Sequence, residues 1–327
     1  MDIRVLRAAD VRALLPMSEC IDLMQRTMIA VSEGRAVLPL RTVLVMPGDR
    51  GRMGNMPGYL AEPECFGIKL VSLMPRNKPP LFSSHLGVVL LFEGEHGQPI
   101  ALLDAAEITA IRTAAASGLA TRLLARADAG DLALLGAGEQ ARSHLQAMLA
   151  VRALRRVRVW ARDGAKAAVF AEAESAKHGI LIEPAATARE AVAGADIICT
   201  VSKAREPILL GDWLAAGVHL NIVGSSVAST AEIDTPAVVR SRFFVDYRES
   251  TVNEGGEYLQ ALRAGAIRPE HILGEIGEVA NGSKVGRRSP NDVTLYKSLG
   301  IAPQDLASAH YVLEKARVRA IGQIIDF

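Results

Sequence analysis

The stretch DLALLGAGEQA, residues 131 to 141, restricts the fold of this chain more than any other feature. A short apolar run leads straight into a glycine-rich turn and then into a helical pattern. Gly136 permits the tight turn and Gly138 lets the backbone approach an anion closely. Ala141, in the third fingerprint position, is small enough for the helix to pack on the strand. The helix N-terminus that follows offers amide donors to a phosphate. An ordinary strand-to-helix turn reads the same way in isolation, so the surroundings must decide. Downstream, RVRVWA (156–161), ADIICTVS (195–202), HLNIVGS (219–225) and RFFVDY (242–247) read as strands, with helices near 139–152 and 164–178. This alternation predicts βαβ units and a parallel sheet covered on both faces, so the expected class is α/β and the expected ligand of the turn is a dinucleotide.

The first hundred residues follow another pattern. Asp10 and Ser18 are possible helix caps around Pro16, after which Ile21, Met24, Met28 and Val31 recur at helical spacing until Gly34 stops the helix. Short β-rich runs follow at 41–46, 52–60, 65–74, 85–93 and 99–104, with GEHGQ at 94–98 as a hairpin loop. Consecutive strands of this kind favour antiparallel pairing. A long small-residue helix begins at 105, and a final helix, PQDLASAHYVLEKARVRAIG, is expected to fold back onto the N-terminal part. A chain of 327 residues is too long for one small core, so two domains are expected.

Charge and cysteine content exclude several classes. With 37 basic and 36 acidic side chains there is no electrostatic reason to expect nucleic acid or an anionic membrane as partner. Cys20, Cys65 and Cys199 are odd in number and far apart, which suggests neither disulfides nor zinc and fits a reducing cytoplasm. The N-terminus has no apolar signal core, and the longest apolar run, VVLLF, is too short to span a membrane, so a soluble protein is expected. There is no HExxH, GxSxG or P-loop, and His85, His144 and His310 read as structural. No metal is expected.

The second β-strand of the dinucleotide pattern ends in VWARD. An acid there would accept from an adenosine ribose; Arg162 stands there instead and suits a 2′-phosphate. Asp163 either caps the next helix or reaches the ribose. NADP(H) is therefore favoured and NAD(H) remains open. Lys69 lies within FGIKLVSL, where burying an unpaired ammonium would cost several kcal/mol. It must emerge at an edge, pair with a protein acid or hold an anionic ligand. Arg41 and Arg112 can each grip a carboxylate through two hydrogen bonds, yet singly each reads as a surface charge.

Over nearly its whole length the chain resembles the ornithine cyclodeaminase and mu-crystallin family. The resemblance rests on LRTVLV (40–45), GIKLVSL (67–73), ITAIRTAAASGLAT (108–121) and LLGAGEQARSH (134–144), and continues in EAVAGADIICTVS (190–202), EPILLGDWLAAGVHLNIVGSS (206–226) and LYKSLGIAPQD (295–305). It implies a Rossmann-type doubly wound domain over 117–302 and a smaller α+β substrate and dimerisation domain from 1–116 with 303–327. It also implies an NAD(P)-dependent enzyme, a homodimer, acting on an amino or imino acid whose carboxylate lies on Arg41, Lys69 and Arg112. Thr113, Gly136, Gly138, Gln140, Ala141, Thr200, Val201, Ser298 and Gly300 match cofactor-contacting positions, and Arg112, Glu139, Arg162, Ser202 and Ser226 complete that set. Lys69 and Ser226 are the candidate catalytic residues. Two departures from the cyclodeaminases matter. Ser226 stands where they carry a water-activating aspartate, and Gly54 and Asn55 precede the Met-Pro pair where they carry a glutamate. Hydrolytic loss of ammonia needs a general base, and these positions supply none. The pattern is closer to the ketimine reductases. The expected reaction is reduction of Δ1-piperideine-2-carboxylate or Δ1-pyrroline-2-carboxylate, with ornithine cyclodeamination, alanine-dehydrogenase-like reductive amination and non-catalytic NADPH-dependent ligand binding as alternatives.

Overall fold

The structure is a computed structural model that describes residues 2–77, 83 and 85–326; the side chains of Asp49 and His85 lie outside the described part, and with His85 goes its reading as a structural histidine. The chain divides into two compact units, Met1–Arg112 with Gly300–Phe327, and Thr113–Leu299.

The first unit begins with β1 (Asp2–Leu6), α1 (Ala8–Leu14) and α2 (Met17–Ser32). It continues through β2 (Ala36–Val37), β3 (Thr42–Val45), β4 (Arg52–Ala61), β5 (Glu64–Leu73), β6 (His85–Phe92) and β7 (Pro99–Asp104). Helix α3 (Ala105–Leu124) follows, its residues beyond Arg112 belonging to the second unit. Helix α2 forms as its spacing predicts: Ile21, Met24, Met28 and Val31 are buried, and Gly34, at φ +73°, ends it. The caps differ from expectation. Pro16, with its preset φ, stands at the N-cap of α2, so Ser18 is already helical. Asp10 is the third residue of α1, where its carboxylate accepts from the Arg7 amide at 2.9 Å.

The second unit runs β8 (Asp131–Leu135), α4 (Glu139–Val151), β9 (Arg156–Trp160), α5 (Gly164–His178), β10 (Ile182–Pro184), α6 (Ala188–Val192), β11 (Ile197–Thr200) and β12 (His219–Ile222). Then come α7 (Thr235–Arg240), β13 (Ser241–Val245), α8 (Arg248–Glu254), α9 (Gly256–Arg263), β14 (Ile272–Glu275), α10 (Ile276–Ala280) and β15 (Val293–Lys297). The chain returns to the first unit with α11 (Ala302–Arg319) and β16 (Gln323–Asp326).

The first unit's sheet has the order β16-β1-β7-β6-β5-β4-β2, with β3 also paired to β4. The hairpin-connected pairs β4–β5, β5–β6 and β6–β7 are antiparallel, as their sequential spacing predicts, whereas β1 lies parallel to β7. Helix α11 packs on β4, β5 and α2. Its first eight residues, Ala302 to Ala309, are all buried. Close approach there needs Gly58 on β4, where an added Cβ would lie 2.9 Å from Ala302 Cβ.

The second unit's sheet has the order β10-β9-β8-β11-β12-β15-β13-β14, and every pairing is parallel. Strands buried on both faces carry nearly continuous apolar runs, as in IICT and DLALL. The strand order reverses at β8, which has β9 on one side and β11 on the other, so the doubly wound sheet places its ligand crevice at the carboxyl ends of those strands. Among the described residues no helix is long and apolar enough to cross a membrane.

Polar groups inside this unit are mostly hydrogen-bonded. His144 on α4 is fully buried: its Nδ1 donates to the Gln140 carbonyl at 2.7 Å, which leaves Nε2 to accept from the Ser117 hydroxyl at 2.9 Å. Burial pushes its pKa down to about 4 against the opposing bond to Gln140. The ring is neutral in the fold and protonates in the unfolded chain near 6.5, so stability is full above that value and is lost as pH falls towards 4. Each such histidine should cost about 2 kcal/mol between pH 6.5 and 5. Thermal midpoints at pH 7 and 5 should therefore differ by several degrees, and His144→Asn should shrink that difference; an unchanged difference would show that His144 does not titrate on unfolding.

Candidate active site

In the first unit, three elements bring cations onto one carboxylate. Lys69 sits on β5, Arg112 on α3 and Asp305 on α11, all but inaccessible at 3%, 4% and 0% exposure. Lys69 Nζ and Arg112 Nε both donate to Asp305 Oδ1, at 3.0 and 2.9 Å. Arg112 also donates through NH1 to Gln304 Oε1 at 2.9 Å. Arg41, just before β3 and half-buried, donates to the Gly300 carbonyl at 3.0 Å. Gly300 has φ +78°, and a Cβ there would lie 2.7 Å from Arg112 NH1, so Gly300 brings the two guanidiniums to one point of the backbone.

The charge count is unbalanced. Two cations, Lys69 and Arg112, meet one carboxylate where water is nearly excluded, and the charge of half-buried Arg41 also reaches Lys69. Burial pushes the Lys69 pKa down to about 8; Asp305 opposes that, while Arg112 and Arg41 add to it. Burial alone would raise the carboxyl of Asp305, but the charges of Arg112 and Lys69 hold it below the usual range. Such a cluster is chemically fitted to take a second carboxylate. Lys69 thus follows one of the three routes open to it, pairing with a protein acid. Asp305 escaped the sequence reading, although an Asp and a Gln inside the buried stripe of α11 were visible there.

In the second unit, Gly136 has φ +136°, and a Cβ there would lie 2.6 Å from the Val201 carbonyl, so the turn closes only with glycine. Gly138 is the N-cap of α4 and has no side chain to cap the first amides. A Cβ on it would meet nothing within 4 Å. Glu139 and Gln140 open the helix, and Ala141 is fully buried against the sheet. Among the described residues, the buried hydroxyls of Thr113 on α3 and Ser298 after β15 have no hydrogen-bond partner. An uncapped helix start, open space over Gly138 and orphaned hydroxyls suit a dinucleotide; the turn and amides would take its pyrophosphate.

Thr200 and Ser202, at the end of β11, are held from behind. Buried Glu232 accepts from Thr200 Oγ1 at 2.7 Å, Ser202 N at 2.8 Å, Ser202 Oγ at 2.6 Å and Gly224 N at 2.6 Å. Ser226 is exposed, whereas its neighbour Ser225 is buried, accepts from Lys297 Nζ at 2.7 Å and donates to Glu257. Lys297 in turn is 2.9 Å from Glu257. Arg162 is exposed two residues beyond β9, and Asp163 caps α5 by accepting from Ala165 N at 3.2 Å. Among the described residues no cluster of three or more His, Cys, Asp or Glu is arranged to hold a metal ion.

A doubly wound parallel sheet with a glycine turn, joined in one chain to an α+β unit with two buried cations on one carboxylate, defines a two-unit α/β protein of the nucleotide-binding class. The sequence matches the model of the ornithine cyclodeaminase/mu-crystallin family over residues 1–319, and the chain belongs to that family. It is 34% identical over 324 residues to a Δ1-pyrroline-2-carboxylate reductase of Bacillus cereus, covering 99% of each chain. It is 36% identical over 282 residues to the ketimine reductase mu-crystallin of Mus musculus, covering 86% of each. Among solved structures, that of Thermococcus litoralis Δ1-pyrroline-2-carboxylate reductase in complex with NADH and L-proline is similar, with a TM-score of 0.95, 36% identity and coverage of 98% of this chain and 99% of that one.

The two glycines separate folding from ligand binding. Gly136→Ala should cost about 1–3 kcal/mol through strain and the clash with Val201. Gly138→Ala should leave the thermal midpoint unchanged but weaken dinucleotide binding about tenfold or more, since its methyl group occupies the space over the helix start. Fluorescence titration with NADPH and NADH reads the second effect; unchanged affinity would mean that the turn does not carry the pyrophosphate.

Proposed function

We propose that this protein is an NAD(P)H-dependent reductase that converts a cyclic ketimine, Δ1-pyrroline-2-carboxylate or Δ1-piperideine-2-carboxylate, to the cyclic L-amino acid. The observation that carries this reading is the pair of buried cations, Lys69 and Arg112, on the single carboxylate of Asp305, one positive charge in excess, which leaves room in the charge balance for one substrate carboxylate. The relatives, by name a pyrroline-2-carboxylate reductase and a ketimine reductase, act on that class of substrate.

Arg41 and Arg112 take the substrate carboxylate and fix the ring, and orientation is their main contribution. When bound, the nicotinamide cofactor supplies the hydride for the C=N carbon. The ring nitrogen needs one proton, and Lys69, whose pKa is about 8, supplies it and recovers it from water. Positions 54, 55 and 226 carry Gly, Asn and Ser, so no carboxylate is available there to activate water, which disfavours ornithine cyclodeamination. The cofactor is held by the turn at Gly136 and Gly138, with Glu139, Gln140, Ala141, Thr113, Thr200, Val201, Ser202 and Ser298 contributing. Exposed Arg162 favours NADPH over NADH, because the guanidinium can meet a 2′-phosphate while Asp163 is engaged as a helix cap.

Purified protein should oxidise NADPH when offered either ketimine and release no ammonia from ornithine with NAD. Silence with both ketimines would overturn the reading. Lys69→Ala should raise the ketimine KM at least tenfold and leave NADPH affinity nearly intact; lost NADPH binding would argue against its place in the substrate site. Because Lys69 acts as the ammonium, kcat/KM should hold below about pH 8 and fall as pH rises through that value.

We also propose a cytoplasmic homodimer. Val37, Val43, Leu44 and Val45 expose between 51% and 61% of their surface on β2 and β3, a patch that a second copy would cover. Light scattering should then give close to twice 34.9 kDa.

A further inference from the structure

We propose that Asp305 is a positioning residue of the reductase site, acting through Lys69 and Arg112: one of its oxygens fixes the ammonium and the guanidinium against each other and keeps the ammonium in its acid form for the reaction. The inference rests on the reductase reading above.

Geometry carries the argument. Asp305 is fully buried, and its Oδ2 is inaccessible, so it cannot touch substrate itself. Both of its interactions use Oδ1, which lies 3.0 Å from Lys69 Nζ and 2.9 Å from Arg112 Nε. Two cations on one oxygen are held in a fixed relation, and each keeps its remaining N–H groups for another acceptor. Nζ has two protons left after Oδ1, and Arg112 still has NH2 after Nε and NH1 are used. Gln304, one residue before Asp305 on α11, holds NH1 and sets the plane of the guanidinium.

The same carboxylate governs the charge of Lys69. The charged groups acting on Nζ are Asp305 from α11, Arg112 from α3 and Arg41 before β3. Its cross-strand neighbours, Met56 on β4 and Val89 on β6, carry no charge. Cys20 on α2 lies in reach of Arg112, but burial pushes its thiol up to about 12, so it stays neutral. Asp305 is therefore the only negative group among these, opposing two cations and a strong desolvation. Without it, Lys69 would lose its proton at lower pH, because burial and the two arginines all act in that direction.

The test is the pH profile of kcat/KM for Δ1-pyrroline-2-carboxylate with saturating NADPH, in wild type, Asp305→Asn and Asp305→Glu. Asp305→Asn should move the alkaline limb down by at least one pH unit and raise the ketimine KM tenfold or more. NADPH affinity should stay within twofold. Asp305→Glu keeps the charge, so it should hold the limb within about half a unit of wild type while lowering kcat, because Oδ1 is displaced. A folded Asp305→Asn variant with the wild-type limb overturns the proposal, as does equal loss in both variants with no movement of the limb. Should Asp305→Asn not fold, Gln304→Leu gives the second reading: it loosens Arg112 alone, and must raise KM without moving the limb. A wild-type enzyme silent with ketimine overturns the reductase reading instead. In that event the pH dependence of pyrrole-2-carboxylate binding, measured calorimetrically in the same variants, still decides whether Asp305 sets the charge of Lys69.

Discussion

One carboxylate oxygen shared by an ammonium and an arginine organises the first unit. Removing either partner of a buried ion pair costs about 3–5 kcal/mol, because the other charge is stranded, and here loss of Asp305 would strand two cations together. Strand β5, helix α3 and helix α11 must therefore arrive in one arrangement. Much of the unit follows from this: the buried small-residue start of α11, its seat on Gly58, and the turn at Gly300 that carries Arg41 and Arg112. Because two buried cations share one acid, the cluster that joins these elements keeps one positive charge in excess.

The second unit solves a different problem. Its parallel strands are buried on both faces, so specificity has to come from their carboxyl ends, where backbone leaves the sheet. Two devices fix those ends. Gly136 closes against Val201 where no side chain would fit, and Glu232 gathers Thr200, Ser202 and Gly224 from behind. A carboxylate accepting four hydrogen bonds in the interior ties the loop to the strand end, although burial still holds its pKa above the usual carboxylate range against those donors.

The doubly wound sheet was legible from the sequence because alternation of apolar strands and helices has few solutions, and the glycine turn lay where the pattern needed it. The antiparallel run of the first unit was equally plain. Strands β1 and β16 were not, since DIRVL and QIID are short, carry charge and gain their place only by pairing with each other and with β7. The cap of α2 went to Pro16 because a preset φ competes well with a hydroxyl two residues along. Of the substrate site, the three cations came from motif resemblance; read singly, Arg112 passes for a surface charge, and only the fold shows it buried. Asp305 was hidden because it lies 236 residues from Lys69, and no local pattern reports a contact of that span. Ser225 and Ser226 differ by one position and so by which side of the loop they face, which sequence alone does not resolve.

The outer unit is discontinuous, interrupted by the whole of Thr113–Leu299. During synthesis the inserted parallel-sheet unit is complete in the growing chain while the outer one still lacks α11. Until residue 305 leaves the ribosome, Lys69 and Arg112 have no acid to meet, and the apolar faces that α11 will cover on β4 and β5 stay open. The nascent chain therefore carries a finished parallel-sheet unit and an unfinished unit whose buried cations lack their acid. A ribosome that stalls or terminates shortly before the end leaves the second of these exposed to quality control, however well formed the first.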